Sequence, residues 1–104
     1  MKLMTKEILN KLPEIRATEN TPASEVKVIA KFFDPTGYGT WYATEYDAEH
    51  REFFGYVKGQ SDYESALGYF SLDELESITV RFGLKIERDI YWNSNTTLEE
   101  VKNS

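Results

Sequence analysis

Apolar and polar positions alternate along much of the chain, which is the period of a β-strand with one buried face. The clearest case is the segment 26–33, where Val26, Val28, Ala30 and Phe32 share one face and lysines occupy the other. Turn-forming residues separate this segment from three further runs of strand-like composition. The first three of these four strands are close in sequence, so they are expected to pair as an antiparallel meander. These further strands are predicted at 40–46, 52–58 and 66–70.

Two short helices are predicted from their capping signals. Thr5 is positioned to cap a first helix. Pro13 ends that helix, because proline disfavours helical geometry at the residue before it. Ser71 and Glu74 form a capping box, which predicts that a second helix begins here and covers 72–78. Both helices are short, so they must pack on the sheet to persist.

The predicted architecture is one α+β domain over residues 1–104, an antiparallel sheet of four to five strands with two short helices packed on it. A last strand is expected within 84–92, and residues 93–104 are expected to end in a frayed helical turn. A chain of 104 residues has the size of a single domain. Its 40% hydrophobic and 14% aromatic residues suffice for a packed core.

Composition excludes several classes of site. The chain has no cysteine, which excludes disulfides, thiolate metal ligands and a cysteine nucleophile. The opening residues carry charge where a signal peptide needs an apolar run. No apolar stretch approaches the roughly 20 residues that a membrane-spanning helix requires. We therefore expect a cytoplasmic protein without a membrane partner.

Acidic residues are concentrated in the middle of the chain. The net charge is −6, and the segment 45–76 holds nine acids against two bases. Carboxylates beside aromatic edges can engage a basic surface, and opposite charge accelerates the encounter. These features predict a non-enzymatic protein-binding module for a basic or DNA-handling protein, with no catalytic residue, metal or cofactor assigned. The residues expected to contact the partner are Glu45, Asp47, Glu49, Glu52, Trp41 and Tyr42.

Two alternative functions remain open. One is single-stranded nucleic-acid binding, in which exposed sheet aromatics stack on bases and cations meet phosphates, although the acidic net charge opposes it. The other is a small metal-dependent hydrolase built on carboxylates and the single histidine. The nucleic-acid alternative depends on Trp41, Tyr42, Tyr56, Lys27, Lys31, Arg81 and Lys85. The hydrolase alternative depends on Glu45, Glu87, Asp89 and His50.

Five motifs are spread over nearly the whole chain. They are Leu3-Met4-Thr5-Lys6-Glu7, Trp41-Tyr42-Ala43-Thr44-Glu45, Phe53-Phe54-Gly55, Leu67-Gly68-Tyr69-Phe70-Ser71-Leu72-Asp73-Glu74-Leu75 and Gly83-Leu84-Lys85-Ile86-Glu87-Arg88-Asp89. In these motifs the chain resembles the bacterial family called domain of unknown function 2958. The resemblance implies an accessory role on plasmids, phages or integrative elements, including dealings with host defence or DNA-processing proteins. It implies no established activity, so no catalytic residue is transferred.

Overall fold

A computed structural model of the chain describes residues 1–59 and 64–104. The predicted turn between the third and fourth strands lies partly outside the described residues. The strands are β1 (Ala30–Phe33), β2 (Thr40–Asp47), β3 (Glu52–Lys58), β4 (Ala66–Ser71) and β5 (Glu87–Arg88). They form one sheet in the order β4-β3-β2-β1-β5, and every neighbouring pair is antiparallel. The predicted α+β class and antiparallel sheet are therefore confirmed.

Both predicted helix caps are confirmed. The Thr5 hydroxyl accepts a hydrogen bond from the Ile8 amide at 3.1 Å. The Ser71 hydroxyl accepts one from the Glu74 amide at 3.2 Å. These caps begin the two helices α1 (Lys6–Lys11) and α2 (Leu72–Ser77). Both helices pack apolar side chains onto the sheet, because helices this short do not persist alone.

A third helix replaces the expected frayed turn near the C-terminal end. It is α3 (Leu98–Lys102), and Thr97 caps it by accepting from the Glu100 amide at 3.2 Å. Leu98 and Val101 are buried, and this tertiary packing stabilises a helix that is too short to persist alone. The described residues therefore contain three short α-helices where two were predicted, together with a 3₁₀ turn at Arg81–Gly83.

The sheet has two buried faces. The α2 face carries Phe32 and Phe53, whose ring centroids lie 5.3 Å apart, together with α1 and α2. The α3 face carries Tyr42, which packs on Trp92 with ring centroids 5.7 Å apart, together with α3. The central strand β2 is consequently buried from Tyr42 to Tyr46 on both of its sides. Both faces of an antiparallel sheet are covered, although one face often remains solvated.

The first strand is shorter than its alternating pattern predicts. It begins at Ala30, because residues 26–28 pair with the C-terminal segment and only the Ile29 amide still donates to β2, at the Ala43 carbonyl. The Val28 amide donates to the Thr96 carbonyl at 2.8 Å, and the Leu98 amide donates to the Val26 carbonyl at 2.8 Å. Val26 and Val28 therefore pack on the α3 face, whereas Ala30 packs on the α2 face. The predicted single face for 26–33 is wrong for this reason.

The last strand is also shorter than predicted. Only Glu87–Arg88 of the segment 84–92 pairs with β1. The Asp89 amide still donates to the Lys31 carbonyl at 2.9 Å, after which the chain turns across the α3 face. There the Trp92 indole N–H donates to the Val28 carbonyl at 2.8 Å. The strand therefore ends where the chain leaves β1 and begins to cover the core of the α3 face.

A β-bulge in β2 decides which side chains share a face. Ala43 pairs with Gly55, and Glu45 pairs with Phe54, so Thr44 is the extra residue between the two pairs. The Thr44 hydroxyl donates to the Phe54 carbonyl at 3.1 Å and satisfies the interrupted ladder. Glu45 is thereby moved onto the α3 face, opposite to the face of Ala43.

Candidate functional site

Glu45 is a buried structural acid. The residue is 3% exposed, and its carboxylate accepts hydrogen bonds from the Arg16 amide at 2.8 Å and the Thr18 amide at 3.0 Å. The Thr18 hydroxyl donates to the same carboxylate. These bonds fasten the loop after α1 to the α3 face. Glu45 therefore does not belong to an exposed surface, and its role in partner contact stays a prediction.

The two aromatic residues expected to contact a partner are core residues. Tyr42 is buried on the α3 face between Trp92 and Tyr56, and this burial raises the pKa of its phenol. Trp41 is half-buried against the α2-face core. Neither ring is free to stack on a base. In the part of the chain that the structure describes, the exposed rings lie at positions that the alternating pattern did not select, namely Tyr38, Tyr69, Phe82 and Tyr91.

The turn between β2 and β3 displays the remaining predicted acids at the surface. The Asp47 carboxylate accepts from the Glu49 amide at 3.0 Å and from the His50 amide at 3.2 Å. These bonds close the turn and leave the Glu49 side chain exposed. Glu52 follows at the start of β3 and is half-buried. Asp47, Glu49 and Glu52 thus lie at one end of the sheet.

Arg51 connects this turn to α2. Its Nε donates to Asp73 at 2.7 Å, and its guanidinium also donates to Glu76 at 2.9 Å. The Leu72 amide donates to the Arg51 carbonyl at 2.9 Å, and Arg51 adopts a left-handed backbone with φ 53°. Two acidic segments that are distant in sequence therefore form one acidic end of the molecule.

An apolar cleft opens beside this acidic end, between α1 and the end of β2. Its volume is about 520 Å³. The Tyr46 amide donates to the Pro13 carbonyl at 2.9 Å and holds the connection after α1 against β2. The described residues that line the cleft include three acids and no base. We call it the acid-rimmed cleft, and it is lined by Leu9, Leu12, Glu14, Ile15, Tyr46, Asp47, Ala48 and Glu49.

A second groove of about 450 Å³ lies on the α3 face. Phe54, Leu67 and Tyr69 supply apolar surface, and Glu45 lies at its base. Its rim carries charges of both signs, including Lys102 on α3. The sequence did not predict this groove, because it depends on the bulge and on the C-terminal helix.

A family model described as "Protein of unknown function (DUF2958)" matches residues 3–103. The chain belongs to the DUF2958 family. No curated protein and no solved structure matches it. The family description supplies no activity, so the function of this DUF2958 protein has to be argued from its surfaces. No helix in the described ranges has the length and apolar character to cross a membrane.

The residues of the hydrolase alternative do not converge in this DUF2958 protein. Glu45 is bonded to the loop on the α3 face. Asp89 lies 3.9 Å from the Lys31 ammonium, beyond β5 at the other side of the sheet. His50 and Asp47 form a pair in the acidic turn, and with Glu49 they offer ligand atoms within 4.8 Å of one another. These three residues do not share a cleft with Glu45, Glu87 and Asp89, so the described geometry does not build that catalytic site.

His50 is expected to titrate above its ordinary pKa of 6.5. The reason is the hydrogen bond between its Nδ1 and the Asp47 carboxylate at 2.7 Å, which also lowers the pKa of Asp47 below 3.8. The contribution of His50 to stability is complete below 6.5 and is lost as the pH rises through the raised pKa. That of Asp47 is complete above 3.8 and is lost as the pH falls through the lowered pKa.

An NMR titration checks this prediction without assignment ambiguity, because His50 is the single histidine of the chain. The Asp47→Asn variant removes the negative charge and should return the midpoint towards 6.5. A wild-type midpoint at or below 6.5 would contradict the pairing.

Proposed function

We propose that this DUF2958 protein is a non-enzymatic protein-binding module that captures a basic segment of a DNA-handling protein in its acid-rimmed cleft. In this proposal it is a cytoplasmic accessory protein of a plasmid, phage or integrative element. The supporting observation is the combination of an apolar floor with a rim of carboxylates at the cleft between α1 and β2. An apolar floor alone would favour many ligands, whereas the acidic rim selects a basic one.

The floor of the cleft offers anchoring contacts. Leu9 is exposed, and Leu12 and Ile15 are half-buried beside it. An amphipathic helix buries its apolar face in such a groove through residues spaced three and four apart. The ligand that fits is therefore a short amphipathic segment, with leucine-like anchors on one face and lysine or arginine on the flanks.

The acidic end extends the attraction beyond the cleft. Glu49 lies on the rim of the cleft and on the same turn as Arg51, which joins the acids of α2 to that turn. A surface with one sign of charge steers an oppositely charged partner and raises its association rate, and salt screens this effect. Binding is consequently expected to weaken as the ionic strength rises.

The partner is identified by capture on immobilised protein from bacterial lysate, once with and once without nuclease treatment. Bound proteins are eluted over rising salt and identified by mass spectrometry. Nuclease treatment separates direct protein contacts from contacts bridged by nucleic acid. A captured basic protein that resists nuclease and is released by salt supports the proposal. Capture that disappears with nuclease contradicts it.

Neutralising the rim should weaken this complex roughly tenfold at low ionic strength, since rim charges act mainly on association. The variant combines Glu14→Gln and Glu49→Gln on the rim with Glu52→Gln at the neighbouring acidic end. The matched control removes the same charge from exposed acids elsewhere, through Glu19→Gln, Glu25→Gln and Glu99→Gln. Affinity is measured by biolayer interferometry with the captured protein over a salt series.

The two triple variants separate a specific rim from a general charge effect. Equal losses in both would mean that net charge alone, and not the acid-rimmed cleft, attracts the partner. A Leu9→Ser variant tests the floor, because Leu9 is exposed and contributes little to the core. Undiminished binding by this variant at high salt would contradict a role for the apolar floor.

A second candidate, single-stranded nucleic-acid binding, is favoured by one specific observation. Phe82 is 88% exposed and held at φ 63°, a left-handed backbone that is uncommon outside glycine. Beside it the Arg81 guanidinium lies 5.4 Å from the centroid of the Tyr38 ring, and Lys85 is exposed. Fluorescence anisotropy with labelled oligonucleotides at low salt tests this tip, with Phe82→Ser as the variant. Unchanged anisotropy up to high protein concentration would exclude the candidate.

A further inference from the structure

The strand β4 lies at the edge of the sheet without the usual protection of such strands. Among the described residues it pairs only with β3, so every second backbone N–H and C=O of β4 points away from the sheet. Natural edge strands are commonly protected by charge, proline or a bulge. The sequence of β4 has no charged residue and no proline, and its register with β3 is unbroken.

Two large apolar side chains stand on this open edge. Leu67 is 46% exposed and Tyr69 is 56% exposed, and both lie on the α3 face. The Tyr69 ring packs edge-on against Phe54 with ring centroids 5.1 Å apart. The second groove is therefore bounded on its β4 side by apolar surface that residues 1–59 and 64–104 leave uncovered.

The register of β4 is self-complementary. In an antiparallel pair, residues directly opposite each other lie on the same face of the sheet. If Gly68 is set opposite Gly68 of a second copy, Leu67 lies opposite Tyr69 of the partner subunit, and the two α3 faces continue into one another. We propose that β4 pairs with β4 of a second copy in this way, which joins two five-stranded sheets into one sheet of a symmetric dimer.

Charge favours a second copy as the occupant of this edge. The net charge of −6 opposes most contacts between copies, but β4 carries none of that charge. Along β3 and β4 the acidic end lies at Glu52 and Ser71, while the opposite end carries both signs of charge, Lys58 and Glu64. An antiparallel pairing sets the acidic end of each copy beside the end of mixed charge of the other. The arrangement therefore keeps the two acidic ends apart.

The area of contact sets the expected strength. Stable interfaces bury about 800 Å² on each partner, which is more than one short strand pair supplies. A reversible dimer is therefore expected, dominant only at about 100 µM protein or above, since small interfaces have correspondingly modest affinity. This inference is independent of the acid-rimmed cleft, which lies between α1 and β2.

Sedimentation equilibrium over a concentration series tests the dimer. The double substitution Leu67→Lys and Tyr69→Lys places charge on the edge and is expected to give a monomer at all concentrations. The control is Tyr91→Lys, because Tyr91 is 89% exposed and follows β5 at the opposite edge of the sheet. This control is expected to dimerise like the wild type. Circular dichroism establishes that each variant is folded.

A cysteine cross-link tests the register itself. Residues directly opposite in an antiparallel pair have Cα atoms about 4.5–5.5 Å apart, within the range that a disulfide spans. The natural chain has no cysteine, and a Cβ at Gly68 would meet nothing within 4 Å. The Gly68→Cys variant should form a covalent dimer under mild oxidation at least tenfold faster than a Tyr91→Cys control, because only Gly68 faces itself.

Two results would overturn the proposal. One is a monomeric wild type up to about 500 µM, well above the range expected for a strand-paired dimer. The other is a dimer that survives the double lysine substitution, or a Gly68→Cys cross-link no faster than the control. Either result would exclude pairing of β4 with a second copy, and an extended segment of another protein would then be the alternative partner of this edge.

Discussion

Replacing Gly55 with alanine is expected to destabilise the fold by about 3 kcal/mol, because the added methyl has no space and the neighbouring backbone must move. A Cβ at Gly55 would lie 1.8 Å from the Tyr42 carbonyl oxygen and 3.2 Å from the Ala43 Cα. Both contacts are to the backbone of β2, which is buried in the centre of the sheet. A rotamer change therefore cannot relieve them. Urea unfolding measures the loss.

Gly68 supplies a matched control for this prediction. It lies directly opposite Gly55 in the pairing of β3 with β4, yet a Cβ there would meet nothing within 4 Å. Gly68→Ala is expected to change the free energy of unfolding by less than about 0.5 kcal/mol, as surface substitutions usually do. Equal changes in the free energy of unfolding for the two substitutions would show that the close approach of β3 to the Tyr42 carbonyl does not cause the loss at Gly55.

Replacing Glu45 with alanine should cost about 3 kcal/mol of stability, since it leaves buried donors without an acceptor. Both carboxylate oxygens of Glu45 accept hydrogen bonds, and the backbone amides of Arg16 and Thr18 would lose their acceptor at once. For a domain of this size such a loss lowers the melting temperature by roughly 12–24 °C. Thermal unfolding followed by circular dichroism measures this change.

Two further variants separate the loss of the buried, hydrogen-bonded carboxylate of Glu45 from the general effect of removing a negative charge. Glu49→Ala removes an exposed carboxylate from the same part of the chain and is expected to cost less than about 0.5 kcal/mol. Glu45→Gln keeps one acceptor oxygen and should lie between the two alanine variants. If Glu45→Ala were as stable as Glu49→Ala, the loop around Arg16 would not depend on this carboxylate.

Local signals explain the parts of the fold that could be predicted. The caps at Thr5 and Ser71 each accept a hydrogen bond from an amide three residues ahead, so they can be recognised from a few neighbouring residues of the sequence. The order of β1, β2 and β3 follows from short connections between strongly apolar runs. These elements required no knowledge of the rest of the chain.

The bulge at Thr44 shows why the candidate site could not be predicted as well. Strict alternation places Glu45 on the face of Ala43, whereas the extra residue moves it to the opposite face and buries it. Its partners Arg16 and Thr18 are almost thirty positions away in the chain, beyond the range of local patterns. The local pattern therefore predicts an exposed acid, whereas the fold supplies Glu45 with three donors.

Distance in the chain also concealed the second core. Val28 alternates correctly, but its burial depends on Trp92, which lies 64 positions later and donates to the Val28 carbonyl. Nothing near Val28 indicates that its backbone pairs with the segment before α3. The acid-rimmed cleft has a similar origin, because α1 and β2 are separated by the whole of β1 and its flanking loops.

The pairing of residues 26–28 with residues 96–98 also constrains the order in which the domain can fold. Hairpins such as β2–β3 close short loops and can form while the chain is still being synthesised. The α3-face core needs Leu98 and Val101, so it forms only after this last stretch has been made. Until then Tyr42 and Val28 remain open to solvent. The nascent protein then has a packed core on the α2 face and exposed apolar side chains on the α3 face.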